Sequence, residues 1–112
     1  MKIGVTSQNF RTITGHAGKT RRFLVYESVQ TEIREAERMD LPKEMAMHEF
    51  RGDSHPLDAL DVLITAGCGQ GFVRRMAAKG VQVIATSETD PLKAVSGVVA
   101  GAVLPPPVPH EH

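Results

Sequence analysis

Short apolar runs separated by polar, glycine-bearing stretches organise this chain, and the clearest unit is Asp61 to Thr86, DVLITAGCGQGFVRRMAAKGVQVIAT. An apolar run, a glycine-rich turn, a stretch of helical period and a second apolar run predict one βαβ unit, with its turn at the carboxyl end of a buried strand. Within it, Phe72, Val73, Met76 and Ala77 share one side of a helix over Gln70 to Lys79, opposite Arg74, Arg75 and Lys79. Gly80 then supplies a left-handed cap. Upstream, Lys2 to Thr6 predicts a short strand, Ser7 to Arg21 a loop, and Arg22 to Tyr26 a strand buried on both faces. Val29, Thr31 and Ile33 alternate with Gln30, Glu32 and Arg34, the period of a half-wet strand that pairs with its predecessor as a hairpin. From Glu37 to Leu60 the pattern weakens. Pro42 and Pro56 exclude one continuous helix there, leaving a short helix over Lys43 to Phe50 or Pro56 to Leu60. The last helix begins with Asp90 as N-cap and Pro91 as first residue, and carries Leu92, Val95, Val98 and Val99 as an apolar stripe ending near Gly101. Beyond Leu104, PPPVPHEH is expected to be extended and mobile.

This order predicts an α/β fold with a mixed five-stranded sheet. An antiparallel hairpin lies beside the first strand, and a right-handed crossover forms a parallel pair. At 112 residues, a ribonuclease H-like three-layer arrangement suits the chain, with one domain over residues 1–104 and a Pro/His tail over 105–112. Lys+Arg and Asp+Glu balance at 13 each, so no global pull toward nucleic acid or anionic membrane is expected. No apolar run approaches the roughly 20 residues that span a bilayer. A lone cysteine forms no internal disulfide, and MKIGVTSQNF lacks a signal-peptide core, so a reducing cytoplasm is the expected compartment.

Several motifs, taken in order, resemble the dinitrogenase iron-molybdenum cofactor biosynthesis family. They are the opening MKIGVTSQ, the His16-Ala-Gly motif with RRFLVYE after it, the strand and turn DVLITAGCGQG, and the ending ATSETDPLKAVSGVVAG. The resemblance runs from Met1 to Leu104. It implies a ribonuclease H-like fold and a small carrier or accessory protein that holds iron-sulfur cofactor precursors for nitrogenase. It also implies that the H-x-G histidine, here His16, touches the cluster. The partners implied are cofactor assembly and acceptor proteins of nitrogenase or a related metalloenzyme, with the chain a monomer or weak dimer.

Residue chemistry bears on the same question independently. Iron in a sulfide cluster accepts thiolate and imidazole, so a carrier needs only one or two such groups near a polar mouth. His16, on a glycine-flanked loop, meets that need; the plain alternative is a solvated histidine capping a neighbouring backbone group. Cys68 sits in the glycine-rich turn at the same end of the sheet, where a helix N-terminus is expected to lower its thiol pKa. Otherwise it is a small residue filling a tight turn. Gly18, Gly67, Gly69 and Gly71 allow a ligand close to the backbone. Arg22, beside Arg21, either holds an anionic cluster or lies on a solvated face, as do Arg74 and Arg75. His48 and His55 flank Arg51-Gly-Asp-Ser at a spacing that is not a preformed helical metal pair. Either could swing over a cluster as a metal ligand, or serve an ordinary surface or capping role. His110 and His112, in the tail, are given no specific role.

Two rival functions fare worse, whereas a plain interaction or scaffold module is harder to exclude, since sequence does not locate apolar patches. GCGQG lacks the third glycine spacing of the dinucleotide fingerprint and the Lys-Ser/Thr of a P-loop. A ribonuclease H-type nuclease needs metal-holding carboxylates, and Lys2 to Thr6 contains none. The expectation is therefore a non-catalytic carrier of an iron-sulfur or molybdenum-iron-sulfur cofactor precursor, with His16 the leading ligand and Cys68 the second. A small anion- or nucleotide-binding regulatory module using the Gly67 to Gly71 turn is the alternative.

Overall fold

The computed structural model describes every residue except 47–49, 51, 53 and 109–112. Its elements are β1 (Lys2–Thr6), β2 (Arg22–Val29), β3 (Glu32–Asp40), β4 (Val62–Thr65), α1 (Gln70–Ala78), β5 (Gln82–Ala85) and α2 (Pro91–Val99). The strands form a five-stranded sheet in the order β3-β2-β1-β4-β5. Central β1 is antiparallel to β2, with Ile3 opposite Tyr26, and parallel to β4, with Gly4 opposite Leu63. β2 and β3 are antiparallel and β4 and β5 parallel, so the sheet is mixed, as the element order predicts.

Alternation along the strands sends side chains to two separate cores. Ile3, Val5, Leu24, Tyr26, Val62 and Ile64 pack on one face with Ala94 and Val95 of α2. On the other, Phe23, Val25 and Leu63 pack with Met76 of α1 and with Leu57 and Leu60. The sheet therefore lies between a helix on each face, and the loops leaving β1, β4 and β5 emerge together at its carboxyl edge. Gly4 belongs to the second face, where methyl groups of Leu60 and Leu63 fill the space a side chain would take.

Both helices end as the sequence predicts. Gly80 and Gly101 take left-handed φ of +82° and +77°, and the Asp90 carboxylate accepts from the Leu92 and Lys93 amides at 3.0 and 3.2 Å. The stripe on α2 differs by one position, because buried Pro91, with Ala94, Val95 and half-buried Val98, defines the inward side and turns Leu92 out to 52% exposure.

The hairpin is also displaced from its expected place. Val29 closes β2, Gln30 takes a left-handed φ of 57°, and β3 runs through the charged stretch Glu32–Asp40 that carries almost no apolar period. Ala36 is the extra residue of a bulge between the pairs Val25–Glu37 and Tyr26–Glu35. Of the two short-helix candidates, Pro56 to Leu60 holds a single 3₁₀ turn, Pro56–Ala59, and Lys43 to Phe50 begins with another, Lys43–Met45, its residues 47–49 lying outside the described residues. No helix among the described residues is long and apolar enough to cross a membrane.

Candidate functional site

Two loops meet at the carboxyl edge of the sheet, and buried threonines at the strand ends tie them together. The Thr6 hydroxyl, ending β1, donates to the Thr14 carbonyl. The Thr65 hydroxyl, ending β4, donates to the Gly67 carbonyl at 3.1 Å, and the two hydroxyl oxygens lie 3.0 Å apart. Main-chain bonds then cross directly between the loops, from the Ala66 amide to the Thr14 carbonyl at 3.2 Å and from the Ala17 amide to the Gly67 carbonyl at 3.1 Å. The backbones approach so closely that a side chain on Gly15 would meet the Gly67 amide nitrogen at 3.3 Å. The H-x-G loop and the glycine-rich turn are therefore one joined surface.

His16 stands on that surface with an exposed side chain. Its position is set by main chain, because the His16 carbonyl accepts from the Lys19 amide at 3.0 Å, the Thr20 amide at 2.9 Å and the Thr20 hydroxyl at 2.8 Å. A hollow of about 160 Å³ opens beside it, lined by Gln8, Gly15, His16, Lys19 and Thr20. Sequence reasoning did not single out Gln8, Lys19, Thr20, Thr6 or Thr65. A threonine ending each of two buried strands, directly before the two loops, is the signal that would have found the last pair.

Cys68 lies on the adjoining turn, half-buried and packed against the α1 core. Burial pushes its thiol above the ordinary cysteine value, opposite to the expected lowering. The reason is its place before Gly69, the N-cap of α1: it is close enough to the core to lose solvent, and desolvation of the thiolate is what governs its titration. Gly67 is buried and its carbonyl already accepts from Ala17.

The remaining glycines of the site are more telling. Apart from their own neighbours in the chain and the turn of α1 that holds Gly71, Gly18, Gly69 and Gly71 have no atom of the described residues within 4 Å of where a side chain would stand, and none of them has a positive φ. Neither packing nor backbone conformation of this chain calls for glycine at these positions, and Gly71 weakens the first turn of α1. Gly71→Ala is accordingly expected to raise stability in a denaturant titration, by up to about 1 kcal/mol, while weakening whatever binds above the turn. A loss of stability would mean that the glycine serves the fold.

The other candidates have structural partners. Arg22 pairs with Asp40 at 3.4 Å, donates to the Gln8 carbonyl at 3.1 Å and lies 5.6 Å from the centre of the Phe10 ring. His55, expected as a metal ligand or a capping residue, is 3% exposed. Its Nδ1 accepts from the Leu57 amide at 3.0 Å, so Nε2 carries the proton and donates to the Met45 carbonyl. Its own amide donates to the Asp58 carboxylate at 2.9 Å, completing a cap on the Pro56–Ala59 turn. Both ring nitrogens are thus committed to backbone, which leaves no lone pair for iron. Desolvation opposes ionisation of Asp58, but the His55 amide and the Lys79 ammonium, 3.0 Å from its Oδ1, outweigh it and hold the carboxyl below its usual value. His48, His110 and His112 lie outside the described residues. Among the described residues, no three of His, Cys, Asp and Glu gather as a metal site.

Comparison with known proteins decides the family. The sequence model described as dinitrogenase iron-molybdenum cofactor matches residues 1–101. The chain belongs to this family. No curated protein sequence matches it. Among solved structures, the crystal structure of PH0822 aligns over 92% of this chain and 93% of its own, with a TM-score of 0.68 at 14% identity. The NMR structure of TM1290 from Thermotoga, "a putative NifB protein" of the DUF35 family, aligns over 99% and 97%, with a TM-score of 0.62 at 12% identity. These likenesses establish a shared fold. Family membership covers both joined loops, since residues 1–101 include the H-x-G motif and the glycine-rich turn.

Proposed function

We propose that this chain is a non-catalytic carrier that binds and delivers an iron-sulfur or molybdenum-iron-sulfur cofactor precursor. One observation carries the reading. An exposed imidazole and three glycines with open space above them lie on two loops, bonded into a single surface, and on the first turn of α1 that continues it. His16 is the first ligand and Cys68 the second, while Gly18, Gly69 and Gly71 let a bulky inorganic cargo approach main chain. The donor chemistry fits, because a cluster brings its own sulfide and needs only one or two protein ligands of imidazole or thiolate type. The raised Cys68 thiol adds a direction. Ligation by Cys68 releases a proton, so its contribution to uptake grows as pH rises.

Order β3-β2-β1-β4-β5 with a core on each face supports reading the fold as ribonuclease H-like, with residues 1–104 as the domain. The partners in this reading are the cytoplasmic proteins that assemble and accept the cofactor for nitrogenase or a related metalloenzyme.

The start of α1 favours a second reading, because Gly69 provides no side-chain cap and leaves the first amides open to an anion. Calorimetric titration under argon with ATP, NAD and an isolated cluster separates the two. A carrier takes up the cluster and ignores both nucleotides at millimolar concentration, since the turn lacks the lysine and ribose-binding acid that such ligands use. Micromolar nucleotide binding without cluster uptake would replace the carrier with a nucleotide-binding module.

A further inference from the structure

The balanced net charge conceals an uneven spread along the sequence. Every one of the 13 acidic residues lies at or after Glu27, whereas Lys2, Arg11, Lys19, Arg21 and Arg22 all precede it. The loop between β1 and β2, with Arg11, Lys19 and Arg21, emerges at the carboxyl end of β1, beside the glycine-rich turn. At the opposite end, Glu27 pairs across from Lys2, and the Asp61 carboxylate accepts from the Lys2 amide at 2.7 Å.

Arg11, Lys19 and Arg21 are exposed and make no ion pair among the described residues. Two more cations stand close by, since the Arg22 and Arg38 guanidinium groups lie 5.6 and 5.7 Å from the centre of the Phe10 ring, one residue before Arg11. Carboxylates exist at this end, but they are engaged. Asp40 faces Arg22 and Glu35 faces Arg38. Glu88 accepts from the Thr89 and Asp90 amides at 2.8 and 3.1 Å, and Asp90 caps α2. The hollow beside His16, about 160 Å³, has Lys19 as its one cationic lining residue, with Arg21 joined to its edge through a hydrogen bond from its amide to the Gln8 side chain, so the cations form an open surface and do not line a deep pocket.

The geometry points to a docking surface for an acidic segment of a partner protein, formed by Arg11, Lys19 and Arg21 around the His16 loop. Exposed cations with no ion-pair partner among the described residues gain from a complementary acidic face, which also steers and orients the encounter. Nucleic acid fits less well, because Phe10, under Arg22 and Arg38, is not presented for base stacking. The surface is defined by charge alone and does not depend on which cargo His16 holds.

The test uses ¹⁵N-labelled protein without cargo, titrated with a decaglutamate peptide and, separately, with a single-stranded DNA of equal charge. The expected result is amide shifts confined to the Gln8–Arg22 loop and its neighbours on the glycine-rich turn. Peptide affinity should fall about tenfold or more between low salt and 0.3 M salt, and by a similar factor in R11Q/K19Q/R21Q, whose unfolding midpoint confirms that it remains folded. Arg22 is left intact because it braces Asp40 and Gln8. Absent or scattered shifts, undiminished binding by the triple variant, or DNA binding as tight as peptide binding would each overturn the proposal. Cluster uptake is not read in this experiment, so its failure leaves the carrier reading standing, and the converse also holds.

Discussion

His16→Ala is expected to abolish cluster uptake, or to weaken it by more than the roughly 10- to 100-fold that loss of a supporting partner alone produces, while leaving the fold intact. The structure explains why the two effects separate. Residue 16 anchors its loop through its carbonyl, which accepts from Lys19 and Thr20, and alanine keeps that carbonyl. An exposed side chain lost from such a loop costs within about 0.5 kcal/mol, or about 3 °C in the midpoint of a domain this size. Anaerobic loading followed by iron and sulfide analysis and visible absorption gives the first readout, and calorimetry the second. Uptake equal to that of the parent protein would remove His16 from the site.

His55→Ala is expected to do the reverse. Removing the buried ring leaves the Leu57 amide and the Met45 carbonyl without their partner and opens space beside Leu57, which is fully buried. An orphaned buried polar group costs about 1–3 kcal/mol, so a total loss of about 2–4 kcal/mol is expected, with a midpoint lowered by on the order of 10–20 °C. His55→Asn should recover part of this, because its amide oxygen can still accept from Leu57 as an N-cap. Below its new midpoint, the alanine variant should load cluster like the parent protein. A stability change below about 1 kcal/mol, or a selective loss of uptake in folded protein, would show that the ring is no structural prop.

These two histidines also mark where the sequence was readable and where it was not. His16 and the glycine-rich turn stood out because each interrupts an apolar run with residues that a strand or helix does not need. Their meeting at one end of the sheet was legible, but the bonds that join them were not, since these depend on Thr6 and Thr65, far apart in sequence and brought together only by the parallel pairing of β1 and β4. At His55 a capping role was one of the readings open, and the local pattern supports it: a proline follows and an acid stands three residues on, the pattern of an N-cap on a short turn. The helices were legible through their caps, above all Asp90-Pro91.

The hairpin was not legible, for two reasons. Gln30 turns the chain without the Asn-Gly or Asp-Gly that usually marks such a turn. Moreover, β3 lies at the sheet's edge, where Glu32, Arg34, Glu35, Glu37 and Arg38 discourage pairing with another chain and erase the alternation by which a strand is recognised. The bulge at Ala36 then resets what alternation is left.

The segment after α2 changes where this folded unit can be cut. The match to the family stops at residue 101, yet Leu104 packs into the gap left by the missing side chain of Gly97, and the Pro105 carbonyl accepts from the Thr86 hydroxyl at 2.6 Å and the Ser87 amide at 3.3 Å. Trimming the chain to its family boundary would strip α2 of its outer cover and leave the Thr86 hydroxyl, just past β5, without its acceptor. A purification tag or fusion partner joined after Val108 spares both contacts, whereas one spliced at Gly101 competes with them for the same strip of surface.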